Sequence, residues 1–325
     1  MDKILKVVLL IALSILGLYL AFYNIDFNNL VDQLSAVNLT KFFAAIIILM
    51  ISCIIRAKRL QYILVPLDDG ISLHHLFSST MIGYFGNGIL LFRLGEVLKA
   101  YSISVGNKVS TSESFGIIML ERIMDALTVL IMLILFLPWL PIENVTINYW
   151  VSAFAGVTVL FFIMILVLRS LDWAKLINSI SFLSESMRKG LISIVEKIFA
   201  GVNAIKNTKH AWGILFTTLM IWVCYYVMTL WLLESCQIYL TSSGALIMLI
   251  MGAIIIAVPA LPGGLGTYDA GITFSLMLIF SVSKDEALTY ALISHASNYI
   301  PYLVVGSVYF VSSGIKISDI KKRPS

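Results

Sequence analysis

Charged residues are scarce in this chain. Asp, Glu, Lys and Arg make up 12% of its 325 residues, about half the share that is usual in soluble domains. Apolar residues make up 60%, and the mean hydropathy is +0.97. The apolar residues form continuous runs without alternation, which excludes transmembrane β-strands. We therefore predict an all-α fold: a polytopic helical membrane bundle that forms a single domain over residues 1–325.

Cysteine is also rare, and the chain has three, at Cys53, Cys224 and Cys236. They are too few and too scattered for a disulfide framework or a metal site. Three of the histidines have no carboxylate or cysteine at ligand spacing, namely His74, His75 and His210. Nucleotide-binding motifs and nucleophile elbows are missing as well. We expect no cofactor, no metal ion and no nucleic-acid partner.

Eight apolar runs are candidates for membrane crossings. They cover residues 4–22, 42–64, 115–137, 150–168, 212–233, 245–261, 268–282 and 287–311. With eight crossings the clusters of Lys and Arg fall on one side. This distribution predicts a multi-pass protein of the cell (plasma or inner) membrane with cytoplasmic N- and C-termini. A re-entrant pair over residues 245–282 would keep the same sidedness, so the number of spans stays open.

Two further segments do not look like simple spans. Residues 76–94 are apolar but contain Gly83, Gly86 and Gly88, which predicts a re-entrant or interfacial helix. In residues 169–210 the apolar side chains recur every three or four positions, which predicts an amphipathic cytoplasmic helix. That helix could lie on the anionic membrane surface or pack under the bundle as a connector. The sequence favours neither.

Polar residues inside the apolar sequence form three groups, and the first surrounds Arg93. A charged side chain at the bilayer centre costs roughly 2.5–3.5 kcal/mol on insertion scales, so it needs a partner or a wet cavity. On a helix, Arg93, Glu96 and Lys99 would share one face, and Gly95 would leave the backbone open to a ligand. This pattern indicates a site for a lipid phosphate at the cytoplasmic end of the re-entrant element. The alternative is a self-neutralising ion cluster that anchors a helix end.

The second group is Glu121, Arg122 and Asp125, at the cytoplasmic start of the third apolar run. Glu121 and Asp125 lie one turn apart on the same helix face, where both could meet a cation such as Arg93. Arg122 points away from that face and could reach the lipid headgroups. The group either takes part in substrate binding or is a structural charge lock between helices.

The third group lies in residues 259–269, where prolines and glycines interrupt an apolar run. Its candidate residues are Pro262, Gly263, Gly264, Gly266, Thr267 and Asp269. Because these residue types disrupt the backbone ladder, we expect the chain to unwind at membrane depth, against protein or a water-filled cavity. The amides of residues 264–267 could then bind a phosphate, or Asp269 could cap the next helix. His295 and Asn298 in the last run add a weaker polar signal.

Three motifs occur in a characteristic order and spacing. They are Arg93-Leu94-Gly95-Glu96 with Lys99, Glu121-Arg122 with Asp125, and Pro262-Gly263-Gly264-Leu265-Gly266 with Asp269. Together they resemble the transmembrane region of the lysylphosphatidylglycerol synthase family, the flippase-like domain, over nearly the whole chain. The full enzymes of that family add a cytosolic aminoacyl-transferase domain, and their membrane region is associated with moving the modified lipid to the outer leaflet. Because that catalytic domain does not occur before Ser325, the resemblance implies a transporter-like protein that is not an enzyme.

Three functions are compatible with these patterns. The first is a flippase-like transporter of an anionic phospholipid or lipid-linked headgroup, which the three polar groups would bind. The second is a membrane partner that recruits a separate cytosolic lipid-modifying enzyme through residues 169–209. The third is an integral membrane enzyme that uses the buried carboxylates and His295 as acid and base. We favour the first, because membrane anchorage alone has no need of a broken helix.

Overall fold

The computed structural model describes residues 3–136, 171–179, 185–257 and 261–315, with the single positions 156, 160 and 163. Every regular element in these ranges is helical, which confirms the predicted all-α class. The helices are α1 (Lys3–Phe22), α2 (Phe27–Ser35), α3 (Leu39–Leu64), α4 (Leu73–Ile89), α5 (Gly95–Ser104), α6 (Thr111–Phe136), α7 (Trp173–Asn178), α8 (Glu185–Asn207), α9 (Ala211–Ser235), α10 (Ser242–Ala257), α11 (Thr267–Phe280) and α12 (Lys284–Ser313). Two short 3-10 turns, Leu91–Arg93 and Pro262–Gly264, lie between α4 and α5 and between α10 and α11.

Two of the described helices, α3 and α9, are both long enough and apolar enough to cross a membrane. The apolar part of α1, Ile11–Phe22, would form a third span together with α2, with a bend of 87° between them. Helices α6 and α12 have 26 and 30 residues, but both carry polar side chains in their interiors. The predicted run over residues 150–168 lies almost entirely outside the described residues. The total of eight spans stays a prediction.

Helices α3 and α9 pack along each other at the centre of the bundle. The apolar core around them also takes in α10, α11 and α12. Its buried members include Leu49, Leu232, Met248, Leu276 and Ala291. Large apolar side chains also cover the outside, where Phe216 is 61% exposed and Val308 is 63% exposed. A surface of this kind suits hydrocarbon, which solvates apolar side chains and offers no partner to polar groups.

Helices α4 and α5 form an antiparallel pair, which we call hairpin 1. The hydroxyls of Ser79 and Ser102 lie 2.9 Å apart, and Gly83 lies against Gly95 nearer to the turn. A side chain at Gly95 would collide with the backbone of Gly83, so this close approach requires glycine. In the turn, Arg93 adopts a left-handed conformation with a φ of 54°. The chain therefore reverses direction inside the bundle between α4 and α5.

The two ends of hairpin 1 are tied together at its base. The Asp68 carboxylate precedes α4 and accepts a hydrogen bond from the Lys108 amide, which follows α5, at 2.9 Å. It also accepts one from the Gly70 amide at 3.0 Å. These two donors stabilise the ionised form, so they hold the pKa of Asp68 below its usual value. Asp68 thus connects the segment before α4 to the segment after α5.

Helices α10 and α11 form a second pair, which we call hairpin 2. Residues 258–260, which include the first predicted proline, lie outside the described residues. Beyond them the turn contains three left-handed glycines with φ angles of 74°, 82° and 80°, at Gly263, Gly264 and Gly266. Helix α1 covers this turn, where the Ser14 hydroxyl accepts a hydrogen bond from the Leu261 amide at 3.2 Å. The backbone conformation of the turn is one that glycine adopts without strain.

The described part of the amphipathic segment consists of α7 and α8. Helix α8 packs against α6, where a side chain at Gly116 would collide with the Ile198 carbonyl. The rings of Trp173 in α7 and Phe199 in α8 lie 6.3 Å apart. This geometry corresponds to the alternative in which the segment packs against the bundle as a connector.

Candidate functional site

A network of ion pairs joins α3, α5 and α6 inside the bundle. Arg56 and Arg59 are three residues apart on α3, so both face the same side of that helix. Both donate to Asp125 of α6, Arg56 to Oδ2 and Arg59 to Oδ1, each at 2.8 Å. Asp125 therefore bridges two guanidinium groups and fixes α3 beside α6.

Glu121 lies one turn before Asp125 and continues the network towards α5. Its Oε2 accepts a hydrogen bond from Lys99 Nζ at 2.7 Å, and its Oε1 lies 3.4 Å from Arg59 Nη2. Glu121 and Arg59 are fully buried, and Lys99 is nearly so. Because a buried charge is tolerated only with a partner, each member of this set depends on the others.

Arg93 does not pair with either carboxylate of α6 in the described structure, in contrast to the sequence prediction. Its Nη2 donates instead to the Ile256 carbonyl at the end of α10. Helix α5 begins only at Gly95, so Arg93 and Glu96 do not share one continuous helix face. Arg93 lies at the tip of hairpin 1, at the opposite end from the contact between Asp68 and Lys108.

Arg122 points into the network, whereas the sequence analysis directed it to the lipid headgroups. Its Nε lies 3.9 Å from Glu96 Oε1, and its Nη2 lies 3.9 Å from Asp125 Oδ2, which is beyond hydrogen-bond distance. The Nε atom is buried and has no hydrogen-bond partner among the described residues. The side chain as a whole is 34% exposed. A group that approaches from outside can therefore reach this guanidinium.

The network carries more positive than negative charge. Four basic side chains face three carboxylates: Arg56, Arg59, Lys99 and Arg122 against Glu96, Glu121 and Asp125. Arg93 adds a further positive charge close to Arg122 and Glu96. Because an opposite charge nearby stabilises a buried ion, this site favours an anionic ligand.

Asp269 organises the turn of hairpin 2. Its Oδ2 accepts a hydrogen bond from the Gly266 amide at 2.9 Å, which is the capping role that formed one of the two predicted alternatives. Its Oδ1 lies 2.8 Å from His295 Nδ1, and His295 Nε2 lies 3.0 Å from the Gly263 carbonyl oxygen. His295 therefore links α12 both to the glycine turn and to the first turn of α11.

Two of the four amides that the sequence analysis assigned to a phosphate are already bonded within the turn. The Gly264 amide donates to the Leu261 carbonyl at 2.9 Å, and the Gly266 amide donates to the carboxylate of α11 described above. The Thr267 hydroxyl donates to the Gly264 carbonyl at 3.2 Å. These bonds hold the conformation of the turn and occupy half of the amides proposed for a phosphate.

Pro262 and Asn298 have local structural roles. Pro262 begins the 3-10 turn of hairpin 2, a position at which the missing amide hydrogen costs little. The Asn298 side chain donates to the Ser294 carbonyl of its own helix at 2.9 Å.

The tips of the two hairpins meet. Besides the bond from Arg93 to α10, the Tyr299 hydroxyl of α12 donates to the Gly88 carbonyl of α4 at 3.0 Å. The Tyr299 ring lies over Gly263, where a side chain would overlap it. The predicted group around Arg93 therefore lies beside the predicted group at residues 259–269. The group of Glu121, Arg122 and Asp125 approaches the first of these through Arg122, which lies near Glu96.

Sequence reasoning misses Arg56 and Arg59, which it treats together with Lys58 as a cytoplasmic cluster that sets orientation. Their spacing carries a signal, because residues three apart share a helix face while Lys58 faces elsewhere. Lys58 does turn away and donates to Gln61 at 2.9 Å. Tyr225 of α9 accepts a hydrogen bond from Arg56 at 3.0 Å, and no pattern in the sequence points to it.

No group of three or more His, Cys, Asp or Glu side chains within the described ranges is placed to hold a metal ion. The fold and the site together define a helical membrane protein with a buried, positively charged network beside hairpin 1, whose tip contacts hairpin 2.

Comparison with known families gives this class a name. The family model for the lysylphosphatidylglycerol synthase TM region matches residues 5–306. The chain belongs to this family, which confirms the resemblance found in its motifs. Membership supports a membrane protein with a lipid-related function. No curated protein and no solved structure matches the chain.

Proposed function

We propose that this protein is a flippase-like transporter that moves an anionic phospholipid, or another lipid with an anionic headgroup, across the cell membrane. The observation that carries the proposal is the state of Arg122. Its buried Nε has no hydrogen-bond partner among the described residues, within a network that has an excess of positive charge. A phosphate group would supply both the missing acceptor and the missing negative charge.

Arginine suits this role because its planar guanidinium can donate two parallel hydrogen bonds to phosphate oxygens. Arg122 offers the exposed part of its guanidinium, and Arg93 lies near it. The Arg93 side chain is exposed at the tip of hairpin 1. A headgroup bound between these two arginines would therefore be held where the hairpins meet.

Broken helices that meet inside the bundle support transport better than they support simple anchorage. Such breaks build the substrate sites of many transporters, because they bring polar groups to membrane depth. In this chain, buried ion pairs support one hairpin and glycines form the turn of the other. The outer surface of the bundle is apolar, so the acyl chains of a bound lipid could stay in the hydrocarbon.

The proposal can be tested with purified protein in liposomes that contain a labelled anionic phospholipid. Losing one charge-assisted hydrogen bond costs about 1.5–3 kcal/mol, which corresponds to roughly tenfold or more in affinity. We expect Arg122→Gln to slow transbilayer movement by about that factor, and Arg93→Gln to act in the same direction. A labelled zwitterionic lipid should move more slowly than the anionic one.

Lys41→Gln is the matched control, because it removes one positive charge from an ion pair outside the network of α3, α5 and α6. Lys41 and Glu234 are 38% and 36% exposed, and exposed pairs contribute little. Lipid movement by this variant should equal that of the parent. A folded double variant, Arg93→Gln with Arg122→Gln, that moves anionic lipid at the parent rate would contradict the proposal.

A further inference from the structure

The two ring nitrogens of His295 both face hydrogen-bond acceptors. Nδ1 lies 2.8 Å from Asp269 Oδ1, and Nε2 lies 3.0 Å from the Gly263 carbonyl oxygen. A backbone carbonyl oxygen can only accept, and an ionised carboxylate can only accept. A neutral imidazole carries one N–H group, so it can satisfy only one of these two contacts. A neutral histidine beside an ionised aspartate would leave one of the two contacts without a hydrogen. Hydrogen bonds at both ring nitrogens therefore require one additional proton in the pair.

The surroundings place this extra proton on the histidine. Asp269 Oδ2 accepts the Gly266 amide at 2.9 Å, and Asp269 lies in the first turn of α11, where the helix dipole favours a carboxylate. The rings of Tyr268 and Tyr299 have their centroids 5.0 Å and 5.7 Å from the imidazole. Aromatic faces attract cations over about this range. All of these groups favour a positive charge on the imidazole.

We infer that His295 and Asp269 form a proton-binding site that closes the turn of hairpin 2 and couples lipid movement to a proton. When the proton on Nε2 passes to water, the neutral imidazole keeps its Nδ1–H bond to Asp269. The Nε2 lone pair then faces the lone pairs of the Gly263 carbonyl, so that hydrogen bond is lost. Gly263 and its neighbour Gly264 are left-handed glycines, so the released turn can change conformation at little cost.

Few other groups face this pair in the described part of the chain. Helix α11 contributes Asp269 and the Tyr268 ring, and α12 itself contributes Tyr299. The nearest contact from α1 is the uncharged Ser14, which accepts from the Leu261 amide. Helix α10 has no charged residue, and Arg93 at the tip of hairpin 1 donates to its last turn. The side chains of His295 and Asp269 are 11% and 4% exposed, so both are nearly buried.

The coupling rests on the proposed function, because it needs a lipid that moves, but the proton site can be measured without any transport. The chain has four histidines. Replacing His74, His75 and His210 with glutamine leaves His295 as the only source of histidine NMR signals. In nitrogen-labelled protein in lipid at neutral pH, we expect both ring nitrogens of His295 to be protonated. In Asp269→Asn, which removes the negative charge beside the ring, we expect the share of doubly protonated His295 to fall.

If the triple variant does not fold, the same signals can be assigned in the parent by their loss in His295→Gln. A neutral His295 with one unprotonated nitrogen at neutral pH would overturn the inference. So would a share of doubly protonated His295 that is unchanged in Asp269→Asn.

The coupling is tested by lipid movement in liposomes with a pH difference across the membrane. We expect the pH difference to change the rate in the parent, and we expect this response to be lost in His295→Gln, which cannot titrate. Lipid movement with an equal pH response in both proteins would overturn the coupling and leave the transporter proposal intact. A doubly protonated His295 in a protein that moves no lipid would support the proton site and refute the proposed function.

Discussion

Hairpin 1 and hairpin 2 both reverse the chain within the bundle, but different contacts hold them. Hairpin 1 packs its two helices closely at Gly95 and is fixed from outside by the buried pair of Lys99 with Glu121. Hairpin 2 turns through three left-handed glycines, and its turn is held by Asp269 with His295, by the Tyr299 ring and by Ser14 of α1. Breaking the pair of Lys99 with Glu121 leaves a buried charge without its partner, which is costly. The contact of His295 with Gly263 is lost with one proton, and the glycines of the turn can then change conformation at little cost. We infer that hairpin 1 is the fixed wall of the site and hairpin 2 its movable part.

The largest loss of stability is expected from Glu121→Gln, which removes the carboxylate that pairs with Lys99 of hairpin 1. The substitution keeps the shape of the side chain but leaves Lys99 and Arg59 without one negative partner in a fully buried place. Removing one partner of a buried pair costs about 3–5 kcal/mol. We expect a clear fall in the thermal unfolding temperature in detergent, followed by circular dichroism.

Adding Lys99→Met to Glu121→Gln removes the stranded charge and should restore part of the stability. The exposed pair Lys41–Glu234 provides the control, because Glu234→Gln should cost no more than about 1 kcal/mol. Equal losses in Glu121→Gln and Glu234→Gln would show that the buried network does not fix hairpin 1.

A smaller effect is expected from Gly263→Ala in the movable part. The new methyl group would overlap the Tyr299 ring, and the backbone φ of 74° is strained for alanine. Gly314→Ala isolates the second cause, because Gly314 has a φ of 67° but open space around it. Left-handed strain alone costs about 1–3 kcal/mol, so Gly263→Ala should destabilise more than Gly314→Ala in the same unfolding measurement. A loss at Gly263 no greater than at Gly314 would mean that Tyr299 does not pack on the turn.

The smallest effect is expected at the base of hairpin 1. The Lys108 and Gly70 amides lower the pKa of Asp68 in the folded protein. The resulting stability is therefore present above the unfolded-state pKa and is lost as the pH falls through the folded-state pKa. Because the carboxylate is exposed, we expect Asp68→Asn to cost less than about 1 kcal/mol at neutral pH. The difference in unfolding temperature between parent and variant should disappear in acid, and a difference that grows in acid would contradict this assignment.

The features that could be predicted from the sequence are those that depend only on local residues, such as backbone conformation and helical periodicity. Pro262 and the glycines after it mark the turn of hairpin 2, because these residues determine their own backbone conformation. Glu121 and Asp125 lie on one face of α6 as their spacing predicts, because helical periodicity is a local property.

The partners of those side chains could not be predicted in the same way. Glu121 meets Arg59 and Lys99 only because α3 and α5 pack beside α6, and spacing within one segment does not reveal which helices are neighbours. Arg93 shows a second reason. Its predicted face assumes an uninterrupted helix, whereas the left-handed backbone at this residue turns the side chain towards Ile256.

The contact between α1 and hairpin 2 has a consequence for how the protein is made. Ser14 accepts its hydrogen bond from Leu261, a residue 247 positions further along the chain, and Gly17 packs on Gly266. Helix α1, which covers the turn of hairpin 2, is therefore synthesised long before the turn itself. Helix α1, with 20 mostly apolar residues, has to remain stable in lipid during most of synthesis, as a helix of this length can. Hairpin 2 is covered by α1 only when translation has passed α11, so this contact forms after the helices between them have been synthesised.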